Sequence, residues 1–341
     1  MRVGIIGTGA IAQKHAQAYK AIGYEIAVCT NTSPDKGKKF AAATGAVFVD
    51  SYQQVCEYPQ LDYVDVCTFP NFRLPVVELC ARIKRNVLVQ KPIATDTETA
   101  RKMIEVARRT EIQLGVVSQH RFDDSTQFLK KAIADGRLGK ILEADAYVKW
   151  YRTAEYYSRP IKGSWAVEGG GALINQAVHQ VDVLLFLIGP VNKVFGNWQL
   201  GALHKIESED VVNALLTYSS GATGVIQAAT ALWPGYPERI EIHGTKGSAI
   251  ITGDKLTTWD VQDDNGEPAP VDRSISSGAS DPMAISTLTF ERQFIDFGVA
   301  CKTGRPPQSS AVDGYRALQI VTGIYGSCKE GRVVSIDNQP I

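Results

Sequence analysis

The sequence predicts two domains: a doubly wound α/β domain on a parallel sheet over residues 1–120, and an α+β domain over 121–341 whose open, mostly antiparallel sheet is covered by helices on one face. Three observations predict this. The 341 residues exceed what one ordinary core fills. From residue 2 to about 118, short Val- and Ile-rich runs alternate with helical stretches, the pattern of parallel strands buried on both faces. Beyond residue 120 strand-like runs follow one another with little helix between them, which suits an antiparallel or mixed sheet.

In the first domain strands are expected at 3–6, 25–29, 47–49, 63–67, 87–89 and 114–117. The helices between them announce their starts: Ser33-Pro34 before one, Pro75 in the first turn of another, and Thr95-Asp96-Thr97-Glu98 as a capping box. In the second domain a helix over 123–135 stops at Gly136, and strands are expected at 141–151, 211–218, 224–232, 239–243 and 248–251. A helix over 172–188 interrupts them, and 286–300 carries Phe290, Phe294 and Phe297 at helical spacing. The stretch 262–281, rich in Asp, Gly, Ser and Pro, reads as an exposed loop.

Composition excludes several classes of function. Thirty-six basic and 36 acidic residues cancel, so no net field holds the molecule on nucleic acid or on an anionic bilayer. The six cysteines never approach a Cys-x-x-Cys spacing and the five histidines are scattered, so neither a metal site nor a disulfide framework is expected. The chain enters a strand at Val3 without a charged leader, and its longest apolar run, 183–188, is too short to span a bilayer. A cytoplasmic protein is expected.

Gly7-Thr8-Gly9-Ala10-Ile11-Ala12 follows the first strand and opens a helix, the context that a Gly-x-Gly-x-x-Ala pattern needs. Gly7 permits the tight turn, Gly9 lets a pyrophosphate approach the backbone, and small Ala12 allows the helix to pack on the strand. Exposed amides and the helix dipole then favour the anionic cofactor, so a dinucleotide site is expected. Where a carboxylate usually meets the ribose 2′-hydroxyl, the second strand ends in Thr30, Asn31 and Thr32, with Lys36 nearby. That set tolerates a 2′-phosphate, so the cofactor is NADP or NAD, with a lean to NADP.

Two further features carry chemistry. Gln90-Lys91-Pro92 ends the fifth strand at the carboxyl edge, where open α/β sheets bind ligands. The helix after Gly169-Gly170-Gly171 is apolar nearly all round, yet Asn175, His179 and Asp182 fall at i, i+4 and i+7 and so share one face. Polar groups on a buried helix need partners or a task.

With these residues in view the chain resembles the Gfo/Idh/MocA oxidoreductases over nearly its whole length. The resemblance adds His15 in the first helix, Arg121-Phe122 at the domain junction, Gly136-Arg137-Leu138-Gly139 and Gly244-Thr245-Lys246-Gly247. It implies a Rossmann first domain and reversible hydride transfer between a nicotinamide and a ring carbinol of a sugar, sugar derivative or cyclitol. The Lys-Pro lysine, Lys91, and the helix histidine, His179, then act at the hydroxyl, with Asn175 orienting it. Thr68, Pro70, Asn71, Gln90 and Arg121 join the cofactor set. Three positions depart from the family's pattern: Gln90 replaces a Glu, Asn175 replaces an Asp, and Arg73 stands near a usual His.

For substrate, Arg121, Tyr151, Arg152, Tyr156 and Trp165 are expected beside Lys91, Asn175 and His179, because aromatic faces and guanidinium forks suit a polyol. A homodimer or homotetramer through the open sheet face is expected as well. Two other readings fit the same residues: a glycosidase working by transient oxidation on tightly bound NAD, and a non-catalytic sugar or cofactor sensor.

Overall fold

A computed structural model of the chain describes residues 1–159, 161–274 and 286–341. Two compact units divide it: Met1–Gln119 with Ser286–Tyr315 and Ile341, and His120–Ile285 with Arg316–Pro340. The split after Gln119 lies beside the expected boundary, but the second domain is not the uninterrupted 121–341 that the sequence predicts.

The first unit runs β1 (Arg2–Ile6), α1 (Ala10–Ala21), β2 (Glu25–Thr30), α2 (Pro34–Thr44), β3 (Val47–Phe48), α3 (Tyr52–Cys56), β4 (Tyr63–Val66), α4 (Arg73–Arg82), β5 (Asn86–Val89), α5 (Thr97–Thr110) and β6 (Leu114–Val116). The six strands pair in parallel in the order β3-β2-β1-β4-β5-β6. Winding therefore reverses between β1 and β4, and the loops after these two strands flank the crevice where such sheets bind ligands. The α5 cap differs from expectation: Asp96, not Thr95, accepts from the third helical amide, that of Thr99, at 2.8 Å.

Helix α9 (Leu288–Thr303) belongs to this first unit. Phe290, Phe294 and Phe297 are fully buried; Phe294 stacks on Tyr19 at 4.3 Å between ring centroids and Phe297 meets Tyr63 edge-on at 5.0 Å. Each such ring contributes about 2–3 kcal/mol by burial, enough to fix where this late helix goes.

The second unit holds α6 (Asp124–Ala134), β7 (Ile141–Lys149), α7 (Trp165–Glu168) and α8 (Val178–Ile188). Its sheet continues through β8 (Val191–Leu200), β9 (Glu209–Tyr218), β10 (Thr223–Ala229), β11 (Arg239–Gly244), β12 (Gly247–Thr252) and β13 (Lys255–Val261). The unit boundary falls within α10 (Ala311–Glu330), and β14 (Val334–Ser335) completes the sheet. The strand order is β13-β12-β11-β7-β10-β9-β8-β14, antiparallel throughout except for the parallel β7–β10 pair. Leu216, Tyr218 and Ile226 on one face pack with Val181 and Leu184 of α8 and Ile320 of α10. On the other face Phe195 and Leu215, paired across β8 and β9, stand exposed.

Three strands were not expected: β8, β13 and the two-residue β14. In β8 the run is interrupted by Gly196, where a Cβ would come within 3.0 Å of Cys328 Sγ and Ile324 Cγ2, so glycine admits α10 to the sheet at the cost of the strand signal. β13 precedes the stretch expected as a loop, whose described part, 262–274, is mostly exposed and is tied down by Asp264, which accepts from Arg137 and Trp259, and by an isolated bridge between Val271 and Leu256; residues 275–281 lie outside the described residues. The segment Trp165–Ile188 is longer than the apolar run read from the sequence, and is long and apolar enough to cross a membrane. Some 72% of its most apolar window is buried, however, as in the core helix of a globular unit.

Candidate active site

In the first unit the glycine turn has the form a pyrophosphate needs. Gly7 adopts φ +91°, and a Cβ there would lie 2.9 Å from the Cys67 carbonyl oxygen, so only glycine passes between the ends of β1 and β4. Above Gly9 there is open space: a Cβ would meet nothing within 4 Å. No side chain caps α1, whose first amides are left to a ligand. Asn31 donates to Thr8 Oγ1 at 2.7 Å and accepts from the Ser33 amide at 2.8 Å, which fixes the β2 end against the turn. Thr30 is buried, while Thr32 and Lys36 are exposed. These residues fit a dinucleotide.

Lys91 lies two residues beyond Val89, the last residue of β5, and is joined to Pro92 by a cis peptide bond. From Val87 to Ala94 every residue is buried except Lys91. The carbonyls on either side of it, those of Gln90 and Pro92, both accept from the Arg73 guanidinium, which also donates to the Thr68 carbonyl through Nη2 at 2.6 Å. Arg73 thus ties the β4 and β5 loops together. Burial pulls its pKa down to about 9, and it remains a cation at neutral pH. Arg73, which departs from the family's usual His in this segment, is a buried anchor of the loops.

Gln90 is also turned inward, contrary to its expected place beside the cofactor. Its amide nitrogen lies 2.7 Å from His15 Nε2, and His15 Nδ1 lies 2.6 Å from Asp65 Oδ2, which also accepts from Tyr19 at 2.8 Å. With the proton on Nδ1, the imidazole donates to the carboxylate and accepts from the amide. A glutamate at position 90 would set a second carboxylate on the same ring, so the glutamine matches its partner. His15, Asp65 and Cys67 have potential metal-ligand atoms within 4.8 Å of one another. Burial and Asp65 push the Cys67 thiol well above its ordinary range.

In the second unit, a π turn over Leu173–Ala177 leads into α8, so the helix does not keep the regular spacing that puts Asn175, His179 and Asp182 on one face. From Glu168 to Leu184, only Asn175 and His179 are not buried. Asp182 departs from them: it is buried and accepts from Arg121 Nε and Nη2, both at 2.7 Å. Arg121, 3% exposed and lying 5.1 Å over the Phe186 ring, is an anchor of α8 rather than the expected contact for cofactor and substrate. Asn175 donates to the Gly170 carbonyl at 3.0 Å, which holds its amide at the turn.

A carboxylate that the sequence reading missed shapes this turn. Glu209 accepts from the amides of Gly171 at 2.9 Å and Leu173 at 2.8 Å, and Tyr325 donates to it at 2.7 Å. At Gly171 a Cβ would lie 1.8 Å from the Glu209 carbonyl oxygen. Burial raises the Glu209 carboxyl to about 6, against the hydrogen bonds that favour its charge.

The aromatic residues divide. Arg152 is buried between the rings of Trp150 at 4.7 Å and Tyr156 at 5.7 Å, and Gln176 donates to the Tyr156 hydroxyl at 3.1 Å, so Tyr156 stands against the π turn. Tyr151 meets Trp233 edge-on at 5.2 Å. Trp165 instead packs on Tyr325 and Trp198 and binds Glu207 through its indole nitrogen, a structural cluster and not the expected substrate contact.

Comparison with known proteins agrees with this geometry. Residues 1–118 match the oxidoreductase family with an NAD-binding Rossmann fold, and residues 126–250 match the GFO/IDH/MocA C-terminal domain. The chain is 26% identical to a myo-inositol 2-dehydrogenase of Thermotoga maritima, over 99% of each. It is likewise 26% identical to a 1,5-anhydro-D-fructose reductase of Ensifer adhaerens, over 98% of each. Among solved structures, the WlbA dehydrogenase of Bordetella pertussis, in complex with NADH and UDP-GlcNAcA, superposes with a TM-score of 0.89 at 28% identity, covering 99% of this chain and 98% of that one. With both of its halves matched and its glycine turn and π-turn helix in place, the chain belongs to the Gfo/Idh/MocA family of oxidoreductases.

Proposed function

We propose that this oxidoreductase interconverts a ring carbinol and the corresponding ketone on a sugar, sugar derivative or cyclitol, with Lys91 and His179 acting at the reacting oxygen. The observation that carries this reading is the pattern of burial. In two apolar stretches, 87–94 and 168–184, the accessible side chains are Lys91 in the first and Asn175 and His179 in the second. An accessible base and cation are groups that carbinol oxidation requires, and the burial of their neighbours supports this reading.

Gly7, Thr8, Gly9, Ala10, Ile11 and Ala12 would hold the pyrophosphate of a nicotinamide dinucleotide, with Thr30, Asn31, Thr32 and Lys36 at the ribose and Thr68, Pro70 and Asn71 towards the nicotinamide. When bound, that cofactor accepts or returns the hydride of the carbinol carbon. His179 takes the proton of the hydroxyl and returns it in the reverse direction. Lys91 donates a hydrogen bond to the same oxygen and offsets its developing negative charge. Asn175 orients the hydroxyl; being neutral, it adds no charge beside His179. Tyr151 and Tyr156 supply the wall against which a polyol stacks, with buried Arg152 behind Tyr156. The names of the relatives, inositol, apiose and anhydrofructose enzymes among them, support a sugar or cyclitol substrate.

The family binds NAD, and the WlbA relative was crystallised with NADH. We read the second strand's end as tolerating NADP too, because it lacks a carboxylate and exposes Lys36, Lys38 and Lys39. The free thiols of all six cysteines suit a reducing cytoplasm. The exposed Phe195–Leu215 pair on the uncovered sheet face suits association into a dimer or tetramer.

A spectrophotometric screen of sugars, sugar acids and inositols with NAD and NADP in parallel tests the reading. Reduced cofactor is expected with at least one carbinol, with the ratio of kcat/KM for the two cofactors reporting the ribose preference. Silence across the panel favours the sensor, and cofactor that co-purifies and never exchanges favours the glycosidase.

A further inference from the structure

His120 stands beside His179 and has a carboxylate of its own. The two imidazoles stand edge to face, with centroids 5.2 Å apart and planes at 88°. On its other side His120 Nδ1 lies 2.8 Å from Asp123 Oδ2, and both side chains are largely buried. The two belong to a short 3₁₀ turn and the residue that caps α6, whereas His179 belongs to α8, so separate elements bring the three groups together. A small cavity beside His120 and Asp123 is lined by Gln180, Glu238 and Arg239, among others.

We propose that Asp123 and His120 set the protonation state of His179: the carboxylate keeps the shared proton on His120, and the imidazolium so formed holds His179 in its neutral, proton-accepting form at neutral pH. Two adjacent imidazolium rings repel, so a proton secured on one is withheld from the other. The charged groups facing His120 agree with this. Burial alone would discharge the ring, but Asp123 on its own turn, with Glu238 and Asp254 beyond, outweighs burial and raises its pKa, while Arg239 is the cation across the cavity. His120 and Asp123 are thus positioning residues that act through His179.

The inference rests on reading His179 as the base, and the test separates the two. Only five imidazoles need assignment by NMR, and His179→Gln identifies the one at issue. In Asp123→Asn and in His120→Gln the cation beside His179 is lost, so the titration midpoint of His179 is expected to rise by about half a pH unit or more. The rise is expected to be larger in His120→Gln, where the carboxylate keeps its charge. The acid limb of the oxidation rate is expected to move to higher pH in both variants by the same amounts. A midpoint that stays or falls in both folded variants, with rate lost equally at every pH, overturns the proposal and leaves the pair a structural one. Midpoints that rise in a protein without dehydrogenase activity uphold the coupling and overturn the reading of the site.

Discussion

Arg73 anchors the loop that presents Lys91, although nothing in the run Asn71-Phe72-Arg73 announces it. Its partners are the carbonyls of Thr68, Gln90 and Pro92, and a main-chain acceptor leaves no trace in residue type. Replacing it by leucine abandons these carbonyls in a buried place, so Arg73→Leu is expected to lose about 3 kcal/mol or more of unfolding free energy, read by urea denaturation. A loss below about 1 kcal/mol would show that the loops hold without it. Lys91, Asn175 and His179 are legible for the opposite reason: polar side chains in apolar runs are visible in composition alone. Gln90, Arg121 and Trp165 are polar or aromatic residues of the same kind, but partners distant in sequence, His15, Asp182 and Tyr325, claim them, and only the fold reveals that.

At the level of elements, the strands of the first sheet are readable because burial on both faces writes continuous Val and Ile, whereas β8 loses its signal at Gly196. The helix containing His179 is legible, but its π turn and the brace beneath it are not, since Glu209 lies more than thirty residues away. The brace titrates. Glu209 is raised from 4.5 to about 6, so the folded state binds its proton more tightly than the unfolded chain does. Its contribution is fully present below 4.5 and is lost as pH rises through about 6, a change of about 2 kcal/mol. The stability of the native protein relative to Glu209→Gln is therefore expected to fall across that window in thermal unfolding; a constant difference would contradict the assignment. Gly171→Ala, which drives a methyl into the Glu209 carbonyl, is expected to disturb the turn and with it turnover.

Across the whole molecule, length and strand pattern account for the number of domains, and the glycine turn and Lys-Pro step account for the family. The return of α9 to the first unit is not legible, because three phenylalanines at helical spacing show that a face is buried and not against what. The exposed Phe195–Leu215 pair belongs to the same scale. If it joins protomers, Leu215→Glu is expected to shift the elution volume in size-exclusion chromatography to that of a monomer, while an unchanged profile would place the interface elsewhere.

The central claim is that Lys91 and His179 work on one oxygen while other residues hold the cofactor. Its most direct measurement is steady-state turnover of Lys91→Met and His179→Asn alongside their NADH affinity by fluorescence titration. A fall in kcat on the order of 100-fold or more with nearly unchanged cofactor binding is predicted; turnover close to that of the native protein in both variants would contradict it.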